Sequence, residues 1–287
     1  MSEAMDGRSQ AHMDVLVAVP GPASPPADHS HARNLHVEKT MASRNDIIQK
    51  IAEWLQPENF QDYCPNGLQV EGKEEVFTLV TGVTASQALI DAAIEADADM
   101  ILVHHGYFWK GEDQRIRGMK RERLKTLLEK DINLAAYHLP LDDHPEYGNN
   151  RQLADVLGID NPRPLGGLVW EGELPEPMTP EQLGFRISER LHREPLLVGE
   201  GRSQIRRVGW CTGAAQGFIN TALDAGLDAF VSGEISEPTT HTARECGIYY
   251  YAAGHHATER YGVKALGEAL AKEFGLTHRF IDCDNPV

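Results

Sequence analysis

Three stretches put histidine where an apolar run stops: "MILVHHGYFWKGED" (100–113), "INLAAYHLPLDDHPEYGNN" (132–150) and "IYYYAAGHHATERYG" (248–262). They supply His104, His105, His138, His144, His255 and His256, six of the 13 histidines in the chain, with Asp142, Asp143 and Glu259 a few residues away. A lone histidine is most often a satisfied core or loop residue. Three clusters at comparable strand ends argue for a ligand instead, because open α/β sheets bind ligands beyond the carboxyl ends of their strands. Imidazoles with carboxylates form the donor set of Zn, Fe or Mn. Three or more imidazoles plus two carboxylates exceed one tetrahedral site, and carboxylates bridge readily, so the pattern points to two divalent ions and to metal-assisted hydrolysis.

Spacing narrows the donors without settling them. If a helix begins near 255, Glu259 is i+4 from His255 and i+3 from His256, so either imidazole can share a face with it. Asp142 and Asp143 are likewise both open. His104 and His105 would point to opposite sides of a regular strand; both can ligate only if the strand ends there and turns, which Gly106 permits. His138 is expected to orient a ligand or transfer a proton, with a packing role equally open. Tyr107, Phe108 and Trp109 either stack on a flat substrate or belong to the core. Lys110 to Lys125 holds seven basic and three acidic residues, read as a solvated helix face or subunit contact, with attraction of a phosphate-bearing substrate as the alternative. No Walker loop, GxGxxG or nucleophile elbow is present.

The elements that must position these residues read as α/β. Short apolar runs ("VFTLVTGV", "MILVHH", "INLAAYHL", "IRRVGWCTG", "DAFVSGE", "IYYYAAGHH", "HRFIDC") alternate with helical patterns such as "SQALIDAAIEAD", "MKRERLKTLLEK" and "VKALGEALAKEF", which predicts mixed, largely parallel sheets flanked by helices. A weak repeat aligns "VTGVTASQALIDAAIEADADMILVHHG" with "VGWCTGAAQGFINTALDAGLDAFVSGE", and the following units share an Ala-Ala-x-His run. The expected layout is a first α/β half at 41–160, a Pro/Gly-rich linker or lid at 161–205 and a related second half at 206–287. Residues 1–40, rich in Pro, Ala and Ser, are expected to be a disordered extension, with Met41 a candidate translation start.

Bulk properties exclude several classes. With 43 acidic residues against 27 basic, the formal charge is −16. That field disfavours nucleic acid and anionic membranes, and no apolar stretch approaches the length of a spanning helix. Four cysteines sit far apart without CxxC spacing, as expected of reduced thiols in a cytoplasmic protein.

"VHHGYFWKGE", "YHLPLDDHPEYGNN", "GHHATERYG" and the loop "DYCPNGLQVEG" together resemble the GTP cyclohydrolase type-two homologue family, also called the Nif-three-like family, over roughly 44–287. The resemblance implies two related α/β domains, a toroidal hexamer and a dinuclear site facing a central cavity that admits a small substrate. Carried over position by position, it implies His104, His105, Asp142, His255 and Glu259 as ligands, choosing Asp142 over Asp143 and His255 over His256. Glu259 and His138 are then the residues expected at the chemistry. Two functional classes follow: a metal-dependent hydrolase acting on a small nucleotide-like or cyclic amide substrate, and a non-enzymatic metal-binding scaffold.

Overall fold

The computed structural model describes residues 41–287; the extension expected at 1–40 lies outside the described residues. The first part of the chain runs β1 (Ala42–Ser43), α1 (Arg44–Leu55), β2 (Gly67–Val70), β3 (Glu75–Val76), β4 (Thr78–Thr84), α2 (Gln87–Glu95), β5 (Met100–His105), α3 (Gly118–Glu129), β6 (Asn133–Ala136), α4 (Leu139–Asp143) and α5 (Asn149–Leu157). It continues through β7 (Asp160–Gly166), β8 (Val169–Met178), α6 (Pro180–Leu191), β9 (Leu196–Val198), β10 (Ile205–Cys211), α7 (Ile219–Asp224), β11 (Ala229–Ser232), α8 (Glu237–Cys246), β12 (Tyr249–Ala252), α9 (His255–Phe274) and β13 (Thr277–Phe280).

Helices start where the sequence offers caps. The Ser43 hydroxyl accepts from the Asn45 amide to open α1, whose Ile47, Ile51 and Leu55 recur at one-turn spacing and are buried. Ser86 does the same for α2 through the Leu89 amide. Strands such as β4 and β5 are buried on both faces and mostly apolar, as expected of strands covered on both sides. Alternate residues of these strands feed two cores. Leu79, Met100 and Leu102 pack with α1 and with Val263, Leu266 and Leu270 of α9. Val80, Ile101 and Val103 pack on the other side with Leu89 and Ile90 of α2 and with Leu124 and Leu127 of α3.

Two sheets result. One has the order β13-β4-β5-β6-β2, all parallel except β2. The other has the order β7-β8-β10-β11-β12-β9, with β10, β11 and β12 parallel and their neighbours antiparallel. The internal repeat is thus β4-α2-β5-α3-β6 against β10-α7-β11-α8-β12.

The structure corrects the expected boundaries. Residues 161–205 are not a linker or lid: β7, β8 and β9 are strands of the second sheet, and Leu183 and Ile187 of α6 lie in its core. The prolines misled because β7 is an edge strand, where a missing amide donor costs nothing in the ladder; Gly167, at φ 56°, turns it into β8. The related half expected at 206–287 gives its last two elements to the first sheet. Helix α9 leaves the second sheet and packs on the first, and β13 pairs with β4. Among the described residues no helix is long and apolar enough to cross a membrane.

Candidate metal centre

The carboxyl ends of β5, β6 and β12 converge, and with them the histidines. Glu259, one turn into α9, sits among three imidazoles. Its Oε2 lies 3.3 Å from His105 Nε2 and 3.2 Å from His255 Nε2, and its Oε1 lies 3.6 Å from His104 Nε2. Asp142 Oδ1 approaches His104 Nε2 at 3.5 Å. The five residues form two triads of donor atoms, His104–Asp142–Glu259 and His105–His255–Glu259, that share Glu259. His138 groups with His104 and His105 in a third. Both adjacent histidines reach the same carboxylate because β5 ends at His105. Gly106 does not serve as a left-handed turn; a Cβ there would collide with Gln69 and Ala136, so its role is close approach.

Neighbouring groups fix the donors. His104 Nδ1 donates to the Tyr137 carbonyl (3.0 Å), leaving its Nε2 lone pair for the centre. Glu234 Oε1 holds His255 Nδ1 at 2.7 Å, and Thr84 Oγ1 lies 3.3 Å from His105 Nδ1. Asp142 Oδ1 accepts from Asn149 Nδ2 (2.9 Å) and Thr212 Oγ1 (3.3 Å). Asn149 also accepts from the Gly262 amide of α9 through Oδ1 (2.9 Å), tying the Asp142 corner to the helix that carries Glu259. His138 Nδ1 is 2.7 Å from Asp62 Oδ1, and Asp62 accepts further bonds from Asn66 Nδ2 and the amides of Tyr63 and Leu139.

Electrostatics follow from burying two carboxylates among imidazoles. For His104, burial disfavours the imidazolium, but Asp142 and Glu259 outweigh it and lift the pKa to about 9. Burial opposes His255 in the same way, and Glu259 and Glu234 raise it to about 9. Burial wins at His105, pushing it down to about 3 and leaving a neutral ring. Burial would raise Glu259, yet His104 and His105 hold it well below the usual carboxylate range, whereas burial raises Asp142. Such a cluster gains from positive charge at its centre, as protons or as a divalent cation.

The donor set fits a metal. Among the described residues His104 Nε2 and Glu259 Oε2 are buried without a hydrogen-bond partner, which is costly unless a cation takes their lone pairs. A Cβ on Gly213, at φ 67°, would sit 2.1 Å from Glu259 Oε1, so the turn after β10 is shaped to admit that carboxylate. The group Asp62, Cys64 and His138 also brings donors together, but burial raises the Cys64 thiol to about 12, and Asp62 is committed to its four hydrogen bonds.

The remaining sequence candidates lie elsewhere. His256 pairs with Asp282 (2.7 Å). His144 stacks on Tyr147 and accepts from the Glu146 and Tyr147 amides. Asp143 is half-buried and belongs to neither donor triad. Tyr107 and Phe108 pack in or against the core, and Trp109 alone of the three aromatics lines the cavity above the centre. That cavity measures about 620 Å³. Asp62, Asn149, Thr212 and Glu234 are not singled out by the sequence: Asp62 and Asn149 lie within the quoted stretches "DYCPNGLQVEG" and "YHLPLDDHPEYGNN", whereas Thr212 and Glu234 are polar residues outside the histidine clusters.

What fold and site define is a two-sheet α/β protein with a nitrogen- and oxygen-donor centre at the ends of its parallel strands. The chain belongs to the Duf34/NIF3 (NGG1p interacting factor 3) family, whose model matches residues 42–286. A Pseudomonas aeruginosa protein named GTP cyclohydrolase 1 type 2 homolog is 58% identical over 246 residues, covering 84% of this chain and 97% of its own. A solved structure described as protein ybgI, unknown function, aligns at 54% identity with a TM-score of 0.84, covering 86% of this chain and 100% of its own. A solved structure from Thermus thermophilus aligns at 35% identity with a TM-score of 0.80 and the same coverage.

Proposed function

We propose that the chain is a dinuclear metal-dependent hydrolase acting on a small substrate in the cavity above Glu259. The observation that supports this reading is the shared carboxylate: Glu259 belongs to both donor triads, with an orphaned nitrogen and oxygen at the centre. His104, Asp142 and Glu259 would hold one ion, and His105, His255 and Glu259 the other. A pair of divalent Zn, Fe or Mn ions would supply Lewis acidity, making water a nucleophile near neutral pH and offsetting charge on the attacked group.

The protein's own contribution is positioning and proton transfer. Asp62 holds His138 at Nδ1, which leaves Nε2 to take a proton from the attacking water or return one to the leaving group. Asn149 and Thr212 keep Asp142 turned toward the centre. The name of the Pseudomonas relative points to ring opening of a guanine nucleotide; an amide, cyclic amidine or phosphoester would suit the same donors. The hydrolase acts as a hexameric ring, as the family resemblance implies, and in the cytoplasm, as its separated cysteines imply; light scattering should return about six chain masses.

The test is elemental analysis of metal-replete protein followed by a screen of amides, cyclic amidines and phosphoesters, with and without chelation. Turnover that vanishes with chelator and returns with metal is expected. Tight metal binding without turnover of any of them would favour a metal-binding scaffold instead, and failure to bind metal would overturn both.

A further inference from the structure

The cavity above the centre has an uneven chemistry. Among the described residues that line it, none is lysine or arginine; its charged side chains are the carboxylates and imidazoles of the donor set and His138. The rest of the wall is largely apolar or aromatic, with Trp109 and Tyr63 contributed by the first half and Leu168 and Phe218 by the second. The basic stretch 110–125 does not supply the missing cations. Its Arg115 and Arg117 pair with Asp113, Lys120 with Glu112 and Arg121 with Glu122, and none of them lines the cavity.

Two of the aromatics belong to none of the hydrophobic cores. Phe218 ends a single 3-10 turn, is 40% exposed and belongs to none of the cores. Trp109 likewise stands outside the core that takes Tyr107 and Phe108. Its indole N–H is committed to the Gly106 carbonyl (3.2 Å), so what it offers the cavity is ring surface. It packs edge-on with His138 at 5.0 Å, which places a stacked ligand beside that imidazole. Aromatic faces bind planar rings with little regard to their hydrogen-bonding pattern. Phosphate groups, by contrast, are held by arginine, lysine, clustered backbone amides or metal ions, and here the two ions are taken up by the bond that is cut.

We propose that the ligand of this cavity is a planar, phosphate-free heterocycle of nucleobase size, stacked against Trp109 and Phe218 beside His138. This names the substrate class of the hydrolase reading and rests on it. It also separates this chain from an enzyme that reads a nucleoside triphosphate.

The experiment uses the full-length, metal-replete chain and follows tryptophan fluorescence with guanosine, adenosine and uracil as planar probes, and GTP and inorganic triphosphate as phosphate-bearing ones. At least one planar probe should quench and saturate, and GTP should bind no tighter than guanosine. Trp109→Ala and Phe218→Ala, read by calorimetry, should each weaken that probe tenfold or more at unchanged metal content, while Trp109→Phe keeps most of the affinity. GTP binding tenfold tighter than guanosine, with inorganic triphosphate competing, would overturn the proposal. So would the absence of saturable binding by all three planar probes, or binding indifferent to both aromatic variants. Planar binding through Trp109 in a chain that takes up no metal would support the stacking site and break only the hydrolase reading.

Discussion

The two halves each follow a parallel strand with a histidine and, four residues later, a carboxylate, yet they use that corner differently. In the first, His138 immediately precedes α4 and Asp142 lies within it; that helix is five residues long with Pro140 in its first turn. In the second, His255 and Glu259 lie in the opening turns of α9, which is 20 residues long. Asp62 restrains His138, and Glu234 restrains His255, each through Nδ1 at 2.7 Å. Only the second histidine contacts the shared carboxylate, at 3.2 Å. The longer Glu259 side chain, on a long helix, reaches both triads; the shorter Asp142 reaches one. A repeated unit has thus kept its restraints while its donors took unequal places.

The sharpest way to break this comparison is to neutralise each carboxylate without changing its shape. Glu259→Gln should lose both metal equivalents, and Asp142→Asn about one of two, because only Glu259 is shared between the triads. Equal metal loss in the two variants, measured by elemental analysis, would mean the corners are equivalent after all.

A smaller effect should come from the amide that couples the corners. Asn149→Ala removes a buried donor to Asp142 and should destabilise the chain by about 1–3 kcal/mol in urea denaturation. An unchanged midpoint would show that the corners are not coupled through this side chain.

The restraint on His138 predicts a pH dependence. Burial would raise Asp62, but hydrogen bonds from His138 and Asn66 outweigh it and hold its pKa at about 2 in the folded chain, below the ordinary value of 3.8. A depressed folded pKa contributes stability that is fully present above pH 3.8 and is lost as pH falls toward 2. The gap in denaturation midpoint between the native chain and Asp62→Asn should therefore be largest above about pH 4 and close below it. A gap that widens on acidification would reverse the sign and discard the argument.

The smallest effect is expected at His256, adjacent in sequence to His255 and committed to Asp282. His256→Ala should leave metal content unchanged and cost about 1 kcal/mol through the lost hydrogen bond. Loss of metal in this variant would mean that the register of the α9 motif is off by one.

Much of the site was legible because its chemistry is concentrated. Imidazoles at three strand ends are rare enough in sequence to stand out, and helical spacing linked Glu259 to a histidine. The restraints were not legible: Asp62 and Glu234 reach histidines that only the fold brings near, and Asn149, though close to Asp142 in sequence, is tied to Gly262 across the chain. The same holds for architecture: alternating apolar runs marked the parallel strands, while β7, mostly exposed and carrying Pro162 and Pro164, had no periodicity to read. The passage of α9 and β13 back to the first sheet was hidden for another reason. Their patterns give a helix and a strand, but which sheet accepts them depends on packing partners nearly two hundred residues earlier.

That return has a consequence in time. A ribosome delivers His104, His105 and Asp142 early, while His255, Glu259 and β13 emerge near the end of the described chain. Until β13 arrives, β4 is an open sheet edge, and until α9 docks, one face of the first sheet lacks Val263, Leu266 and Leu270. A nascent chain stopped before residue 255 carries only three of the five donors and neither oxygen of Glu259. Full metal capture would therefore be a late event: the carboxylate that both triads share is missing from every chain stopped short of residue 259.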